Sequence, residues 1–335
     1  MRTVDNYLIV VLRLALAGAI SALTCVTAVH AQTAGWKPER VVEFVVQTGP
    51  GGGTDITSRL IQKIWQERRL VEVPVTINNK AGGGGNVALA YLKQHAGDSH
   101  FLQIASSAIV TGHIAGASSF HYTDFTLLAQ LTSEYIVFAV KADSPIKTGK
   151  ELVARLGKDP ASISIAIGTA AGGVNHAAAA LAAKAGGGDV RKLKILISKS
   201  SAESVTLLLG GHVDIVVSSA SVVTPFVPGQ VRLIAISAPR RIEGALAAVP
   251  TWKEQGFDII VDNFRMVIGP PGMGPAQIAY WEAVFARLVQ SEEWRKDLEN
   301  NQWENNYMGS RESRKYLDGQ YEQLRRVLSD LGMAK

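Results

Sequence analysis

The residues best suited to chemistry in this sequence lie in glycine-rich joints between a strand-like run and a helix-like run. The first joint, residues 48–55 (TGPGGGTD), follows a Val-rich run and begins a helical pattern. Such a joint presents unsatisfied backbone N–H groups and the positive end of a helix, which favour a carboxylate or phosphate. On this stretch alone a second interpretation stays open, in which the glycines only form a tight turn and Thr54 or Asp55 caps the helix.

Two nucleotide-binding motifs are excluded at this joint. A P-loop requires Lys-Ser/Thr after the glycines, whereas Asp55 stands where the positive charge is needed. A dinucleotide fingerprint requires a third small residue, and Thr54 occupies that position. An anion site at this joint would therefore be one without a nucleotide-binding motif, and the tight-turn interpretation stays open.

A second joint, residues 80–86 (KAGGGGN), repeats the same arrangement after another strand-like run. Asn86 is a natural helix cap, and the spacing of Val87, Ala90 and Tyr91 predicts one face of the helix that follows. Two such joints at the same end of a parallel sheet converge on the crevice at the carboxyl ends of the strands. This pairing favours the anion-site interpretation.

A third joint, residues 168–176 (GTAAGGVNH), is another predicted strand-to-helix junction rich in glycine, and it lies in the second half of the chain. His176 has no nucleophile beside it in sequence, so a helix-face histidine with a satisfied hydrogen bond is an open alternative to a ligand contact. Acidic residues are scattered singly, and no His/Cys/Asp spacing indicates a metal. The sequence predicts no catalytic residue, no metal and no cofactor.

The elements that position these joints alternate between single Val- and Ile-rich strands and helical patterns, which predicts largely parallel α/β sheets flanked by helices. With 335 residues, 47% of them apolar, the chain is long enough for two domains. We expect chain crossings near residues 139–143 and 261–264. Gly186 is expected to be the C′ glycine of an Ala-rich helix, and the chain after about residue 275 to be wholly helical.

Residues 1–31 predict a secretory signal peptide, with an apolar stretch and a small-x-small cleavage site ending at Ala31. An uncleaved anchor helix is the alternative, although it would place Arg13 in the span. The one cysteine, Cys25, lies in this leader. The formal net charge of +5 is mild, and no basic run with interleaved aromatics indicates nucleic acid.

Six segments in order resemble the extracytoplasmic solute-binding receptors of tripartite tricarboxylate transporters, the Bug or TctC family. The similarity runs from about Trp36 to near the C-terminus. The segments are PGGGTDITSRL (50–60), INNKAGGGGNVALAYL (77–92), DFTLLAQLTSEYIVFAVKADSPIKTGKEL (124–152), LLLGGHVDIVVSS (207–219), VPTWKEQGFDI (249–259) and DNFRMVIGPPGMGPAQI (262–278).

The resemblance implies a two-domain periplasmic binding protein of the Venus flytrap, type II-like kind. Its first domain would comprise residues 32–139 plus 263–335, and its second residues 140–262. It would close over a small carboxylate and deliver it to the membrane permease subunits of a tripartite transporter. Carried over residue by residue, the ligand-binding positions are Gly51, Gly52, Gly53, Thr54, Asp55, Lys80, Gly84, Gly85, Asn86, Ser106, Gly168, Thr169, Asn175, His176, Ser198, Ser219 and Arg265.

Lys80, Lys199 and Arg265 are the candidate cations for a di- or tricarboxylate. Lys80 as a solvated side chain and Arg265 in a surface salt bridge are the open alternatives. Residues 197–204 (ISKSSAES) replace the Tyr-Lys-Gly run that is commoner in the family, so Ser198 stands where an aromatic residue would line the cleft. The ligand class is therefore open among di- and tricarboxylates, amino acids and aromatic acids. We expect the protein to be a monomer and to have no nucleic-acid partner. Two alternative functions stay open: a ligand-sensing module for a membrane sensor kinase, and an α/β enzyme that acts on a carboxylate.

Overall fold

The first half of the fold is built on strands β1, β2 and β3, each followed by a helix. The computed structural model describes residues 35–50, 53–168, 171–198 and 200–335. The predicted signal peptide with Cys25, and the site candidates Gly51, Gly52, Thr169 and Lys199, lie outside these ranges. The elements are β1 (Val42–Val46), α1 (Gly53–Arg68), β2 (Val75–Asn79), α2 (Asn86–Gln94), β3 (Phe101–Ser106) and α3 (Ala108–Ile114).

One long strand, β4 (Thr126–Lys141), runs through both halves of the fold. Its first part pairs antiparallel with β9 (Asp262–Gly269), up to the pair Tyr135 and Asp262. From Ile136 onward it pairs with strands of the second half instead. The two halves therefore share a continuous backbone rather than a flexible linker.

The second half alternates strands and helices in the same way. Its elements are α4 (Gly149–Lys158), β5 (Ser164–Gly168), α5 (Val174–Ala185), β6 (Lys194–Ser198), α6 (Ser201–Leu209), β7 (Ile215–Ser219), α7 (Ala220–Val223) and β8 (Val231–Ile236). The strand order through both halves is β2-β1-β3-β9-β4-β7-β5-β6, and β8 pairs with β4 at the side. After β9 the chain completes the first half with α8 (Pro275–Leu288), α9 (Glu292–Asn301), β10 (Glu304–Gly309) and α10 (Ser310–Asp330).

The α/β class is confirmed, but the pairing is more mixed than predicted. Parallel pairs join β1 to β2 and β3, and β5 to β6 and β7. The central strands β4 and β9 pair antiparallel with their neighbours, since the chain re-enters the first half from the opposite direction. The predicted domain bounds stay a prediction, and the pairing partners of β4 change a few residues before the expected crossing at 139–143.

Several local predictions are wrong. The chain after residue 275 is not wholly helical, because β10 interrupts it and pairs with β4. Gly186 has an ordinary helical backbone, and Gly187 adopts the positive φ of 80° that a C′ glycine favours. Val87, whose spacing with Ala90 and Tyr91 predicts one helix face, is exposed, whereas Ala88, Leu89 and Leu92 form the buried face of α2. None of the helices among the described residues is long and apolar enough to span a membrane.

Buried aromatic rings fix α1 against the first sheet. The ring centroid of Trp65 lies 5.3 Å from that of Phe44 on β1, 5.5 Å from Trp281 and 5.4 Å from Phe285 on α8. Rings at these separations add to the apolar area that they bury. This cluster sets the position of α1 and therefore of the first glycine joint at its N-terminus.

We expect Trp65→Ala to lower the free energy of unfolding by about 3–5 kcal/mol, because it leaves a cavity among three rings. Urea unfolding followed by circular dichroism measures the change. Ile56→Ala, on the exposed face of the same helix, is the control and should cost about 0.5 kcal/mol or less. Equal losses in the two variants would contradict a dominant role for the aromatic cluster.

Candidate functional site

The first glycine joint lies directly against Arg265. A Cβ atom placed on Gly53, the first residue of α1, would be 2.9 Å from Nη2 of Arg265. Arg265 reaches this point because its place on β9 lies between Ser106 of β3 and Thr132 of β4. Glycine at position 53 therefore allows a guanidinium to lie beside the start of a helix.

Arg265 is a buried cation rather than a surface salt bridge, with 6% of its surface exposed. Its Nη1 donates to the backbone oxygens of Asn263 (3.2 Å) and Phe264 (3.3 Å), and its guanidinium carbon lies 5.3 Å from the ring centroid of Trp303. Its Nε is buried without a hydrogen-bond partner among the described residues. The guanidinium thus has one unsatisfied N–H group that is enclosed by the protein.

Glu134, on β4, is the acid that pairs with this cation. Its Oε2 lies 3.5 Å from Nη2 of Arg265, and it is 3% exposed. Its Oε1 accepts a hydrogen bond from the hydroxyl of Ser221 on α7. Burial lowers the pKa of Arg265, whereas the negative charges of Glu134 and Asp262 raise it. We refer to Gly53, Glu134, Ser221, Arg265 and Trp303 as the Arg265 cluster, which joins the two halves of the fold.

Thr54 and Asp55 are buried and bonded within the protein. The hydroxyl of Thr54 lies 2.9 Å from that of Thr48. Asp55 accepts hydrogen bonds from Nε of Arg59 and Nδ2 of Asn79, both at 2.9 Å, and Asn79 also donates to the backbone oxygen of Thr48. These bonds join the first joint to the end of β2, so both side chains hold the joint in place. Their predicted contact with a ligand stays a prediction.

We expect Asp55→Ala to lower the free energy of unfolding by about 1–3 kcal/mol, because the half-buried amide of Asn79 loses its acceptor on the buried Asp55 side chain. Arg59→Ala is the matched control, since the Arg59 side chain is 51% exposed, and exposed ion pairs contribute about 0–1 kcal/mol. Urea unfolding of both variants decides the point. If Asp55→Ala costs no more than Arg59→Ala, Asp55 does not hold the joint.

The second joint is a run of glycines in left-handed backbone conformations, and α2 follows it directly. Residues 82–85 all have positive φ, a region that glycine enters without steric cost. The N-cap is Gly85 rather than the predicted Asn86, whose side chain instead donates to the backbone oxygen of Ala117 at 2.8 Å. Gln47, after β1, donates to Ser106 at 2.9 Å and so connects the ends of β1 and β3.

Lys80 has a partner in this region. Its Nζ lies 4.4 Å from the ring centroid of Tyr91, a cation–π distance. The structure thus supports neither the solvated alternative nor, by itself, the predicted ligand contact.

The predicted residues of the second half lie at the carboxyl ends of its strands and at helix starts. Gly168 packs so closely on Ser201 that a Cβ would be 2.4 Å from the Ser201 hydroxyl oxygen. Ser198 is buried, and its hydroxyl donates to the backbone oxygen of Ser200 at 2.7 Å. Ser219 is half-buried at the end of β7, and Asn175, in the first turn of α5, has a buried Oδ1 without a partner among the described residues.

His176 is buried beside Asn175 and accepts a hydrogen bond from the backbone N–H of Gly172 at its Nδ1 (3.2 Å). Burial lowers its pKa below the ordinary value of 6.5. The neutral ring is therefore the folded form, as the open alternative of a satisfied helix histidine requires.

This lowered pKa predicts acid sensitivity. The unfolded chain takes up a proton at His176 more readily than the folded protein, so its contribution is complete above about pH 6.5 and is lost as the pH falls below it. We expect His176→Gln to lose less stability than the wild type between pH 7.5 and pH 5. Urea midpoints at both pH values measure this, and parallel losses in the two proteins would contradict it.

Sequence reasoning missed Glu134 and Ser221. Glu134 occurs alone in a strand-like run, and Ser221 belongs to no motif. One signal was available, because an acidic residue inside a long apolar strand is costly to bury without a partner. It indicates that a cation is nearby, but not which one.

The arrangement suits binding rather than covalent chemistry. Backbone N–H groups, hydroxyls and one paired guanidinium converge where the strands of both halves end. The described residues contain no group of three or more His, Cys, Asp or Glu side chains that could hold a metal ion. Two α/β halves that share crossing strands and meet at the carboxyl ends of their strands define a periplasmic solute-binding receptor.

The comparisons with known proteins identify the family. The tripartite tricarboxylate transporter family receptor, TctC, matches residues 59–333, and the chain belongs to this family. A Cupriavidus necator protein described as "UPF0065 protein in gbd 5'region" is 26% identical over 299 residues, which is 89% of each chain.

Solved structures support the fold. A TctC solute-binding protein from Polaromonas superposes with a TM-score of 0.76 at 22% identity, covering 88% of this chain and 99% of that one. The R. palustris protein Rpa4515, solved with adipate, gives a TM-score of 0.73 at 21% identity, covering 89% and 99%. The predicted family, the two-domain binding-protein class and the receptor rather than enzyme assignment are confirmed.

Proposed function

We propose that the protein captures a small carboxylate between its two halves and delivers it to the membrane permease subunits of a tripartite tricarboxylate-type transporter. The observation that carries the proposal is the contact between Gly53 and Arg265 at the start of α1. This contact places a buried guanidinium beside a helix N-terminus, and both favour a carboxylate.

The binding energy would come mainly from oriented hydrogen-bond donors. The N–H groups at the start of α1 and the guanidinium of Arg265 supply donors from the first half. Ser219, at the end of β7, and the half-exposed loops of the second half add neutral donors. Closing of the halves removes water, which strengthens each hydrogen bond.

Family membership supports the transport role, and the predicted leader supports a periplasmic location. The proposal includes the predicted domain bounds, with residues 32–139 and 263–335 in one domain and residues 140–262 in the other. We also propose that the receptor is a monomer. The adipate bound by the R. palustris neighbour is consistent with a carboxylate ligand.

The test is a thermal-shift screen of ligand-stripped protein against mono-, di- and tricarboxylates, followed by calorimetry. A ligand that binds only the folded state raises the melting temperature by mass action. Absence of stabilisation by every carboxylate would contradict the proposal.

We expect Gly53→Ala to weaken carboxylate binding about tenfold, since the added Cβ displaces the Arg265 guanidinium from the start of α1. We also expect a loss of stability of about 1–3 kcal/mol, because the added atom overpacks a buried contact, so binding is compared at a temperature at which the variant is folded. Gly319→Ala on α10, where a Cβ meets nothing within 4 Å, is the matched control. Equal affinities of the two variants, measured by calorimetry, would show that this contact does not position the ligand.

A further inference from the structure

One buried charge pair determines how much positive charge the Arg265 cluster presents. Glu134 and Arg265 are 3% and 6% exposed, and their charged groups approach to 3.5 Å. To a ligand outside the pair, the two opposite charges largely cancel. The buried carboxyl of Asp262 also acts on Arg265 and reduces the positive charge further when it is ionised. The cluster thus offers oriented N–H groups with little net charge.

The two other cationic side chains at the first two joints already interact with groups of the protein. Arg59 is bonded to Asp55, and the Lys80 ammonium lies over the ring of Tyr91. A second carboxylate on a ligand would therefore lose its hydration without gaining a fixed cation from the described residues of these joints. Such an uncompensated charge is costly at a buried site.

Apolar side chains accompany the same joints. Ile56, in the first turn of α1, is 42% exposed, and Val87, in the first turn of α2, is 47% exposed. Exposed large apolar residues at the mouths of binding loops suit a ligand with an apolar body.

We infer that the ligand is a monocarboxylate with an apolar body, and that Glu134 is the residue that sets this preference for a single negative charge. The inference rests on the proposed function and narrows it. Glu134 acts through Arg265 as a positioning and charge-balancing residue, since the ligand carboxylate is bound by Arg265 and the start of α1.

Calorimetry with hexanoate and adipate tests the inference, because the two probes share a six-carbon chain and differ in the second carboxylate. We expect the wild type to bind hexanoate at least about tenfold more tightly than adipate. Glu134→Gln keeps the side-chain shape and removes its negative charge, so the net charge of the Arg265 cluster becomes more positive by one. We expect this variant to shift the affinity ratio toward adipate by about tenfold.

Two further variants separate charge from structure. Glu43→Gln on β1 makes the same substitution in the same sheet, at a residue bonded to Asn78 rather than to Arg265, and should keep the wild-type ratio. Glu134→Asp keeps the negative charge but shortens the side chain, so its affinity ratio should stay on the wild-type side. A purely structural role for Glu134 predicts instead that Glu134→Asp changes the ratio as Glu134→Gln does.

The outcomes are distinguishable. A wild type that binds adipate as tightly as hexanoate overturns the monocarboxylate inference while the proposed function stands. An unchanged ratio in a folded Glu134→Gln variant overturns the role of Glu134. If that variant does not fold, as circular dichroism would show, the wild-type and Glu134→Asp ratios decide. Binding of no carboxylate at all overturns both the inference and the proposed function.

Discussion

The burial of one guanidinium is the constraint on which the rest of the site depends. A charge removed from water must regain its lost solvation from fixed partners, and Arg265 does so from two backbone oxygens, an aromatic ring and Glu134. The two backbone oxygens belong to β9 itself, whereas Trp303 and Glu134 come from distant parts of the chain. The return of β9 between β3 and β4 is what brings them to one place.

The same constraint explains the glycine at the start of α1. A helix N-terminus and a guanidinium both attract anions, but they repel each other weakly and compete for space. Gly53 removes the steric part of that conflict, and Glu134 offsets the electrostatic part. Thr54 and Asp55 then fix the start of α1 to Thr48, after β1, and to Asn79, at the end of β2.

The sequence predicts the parts of this arrangement that are local. A glycine cluster after a strand-like run predicts the position of a joint, because backbone with positive φ is adopted most readily by glycine. The pairing of Arg265 with Glu134 depends on which strands lie side by side, and no local pattern carries that information. Strand β10 was missed for a related reason, since its polar residues form a strand only through pairing with β4. Ile56 and Val87 follow helical spacing yet face outward, because the burial of α1 and α2 is decided by the sheet they pack on.

Strand β4 has a consequence for how the protein stores its stability. Sixteen residues of uninterrupted backbone belong to the sheets of both halves, so neither sheet can lose this strand while the other keeps it whole. The hydrogen bonds and burial of β4 therefore contribute to the stability of both halves. Such a molecule unfolds as one cooperative unit, and a ligand that contacts a single half protects the entire chain against denaturation and proteolysis.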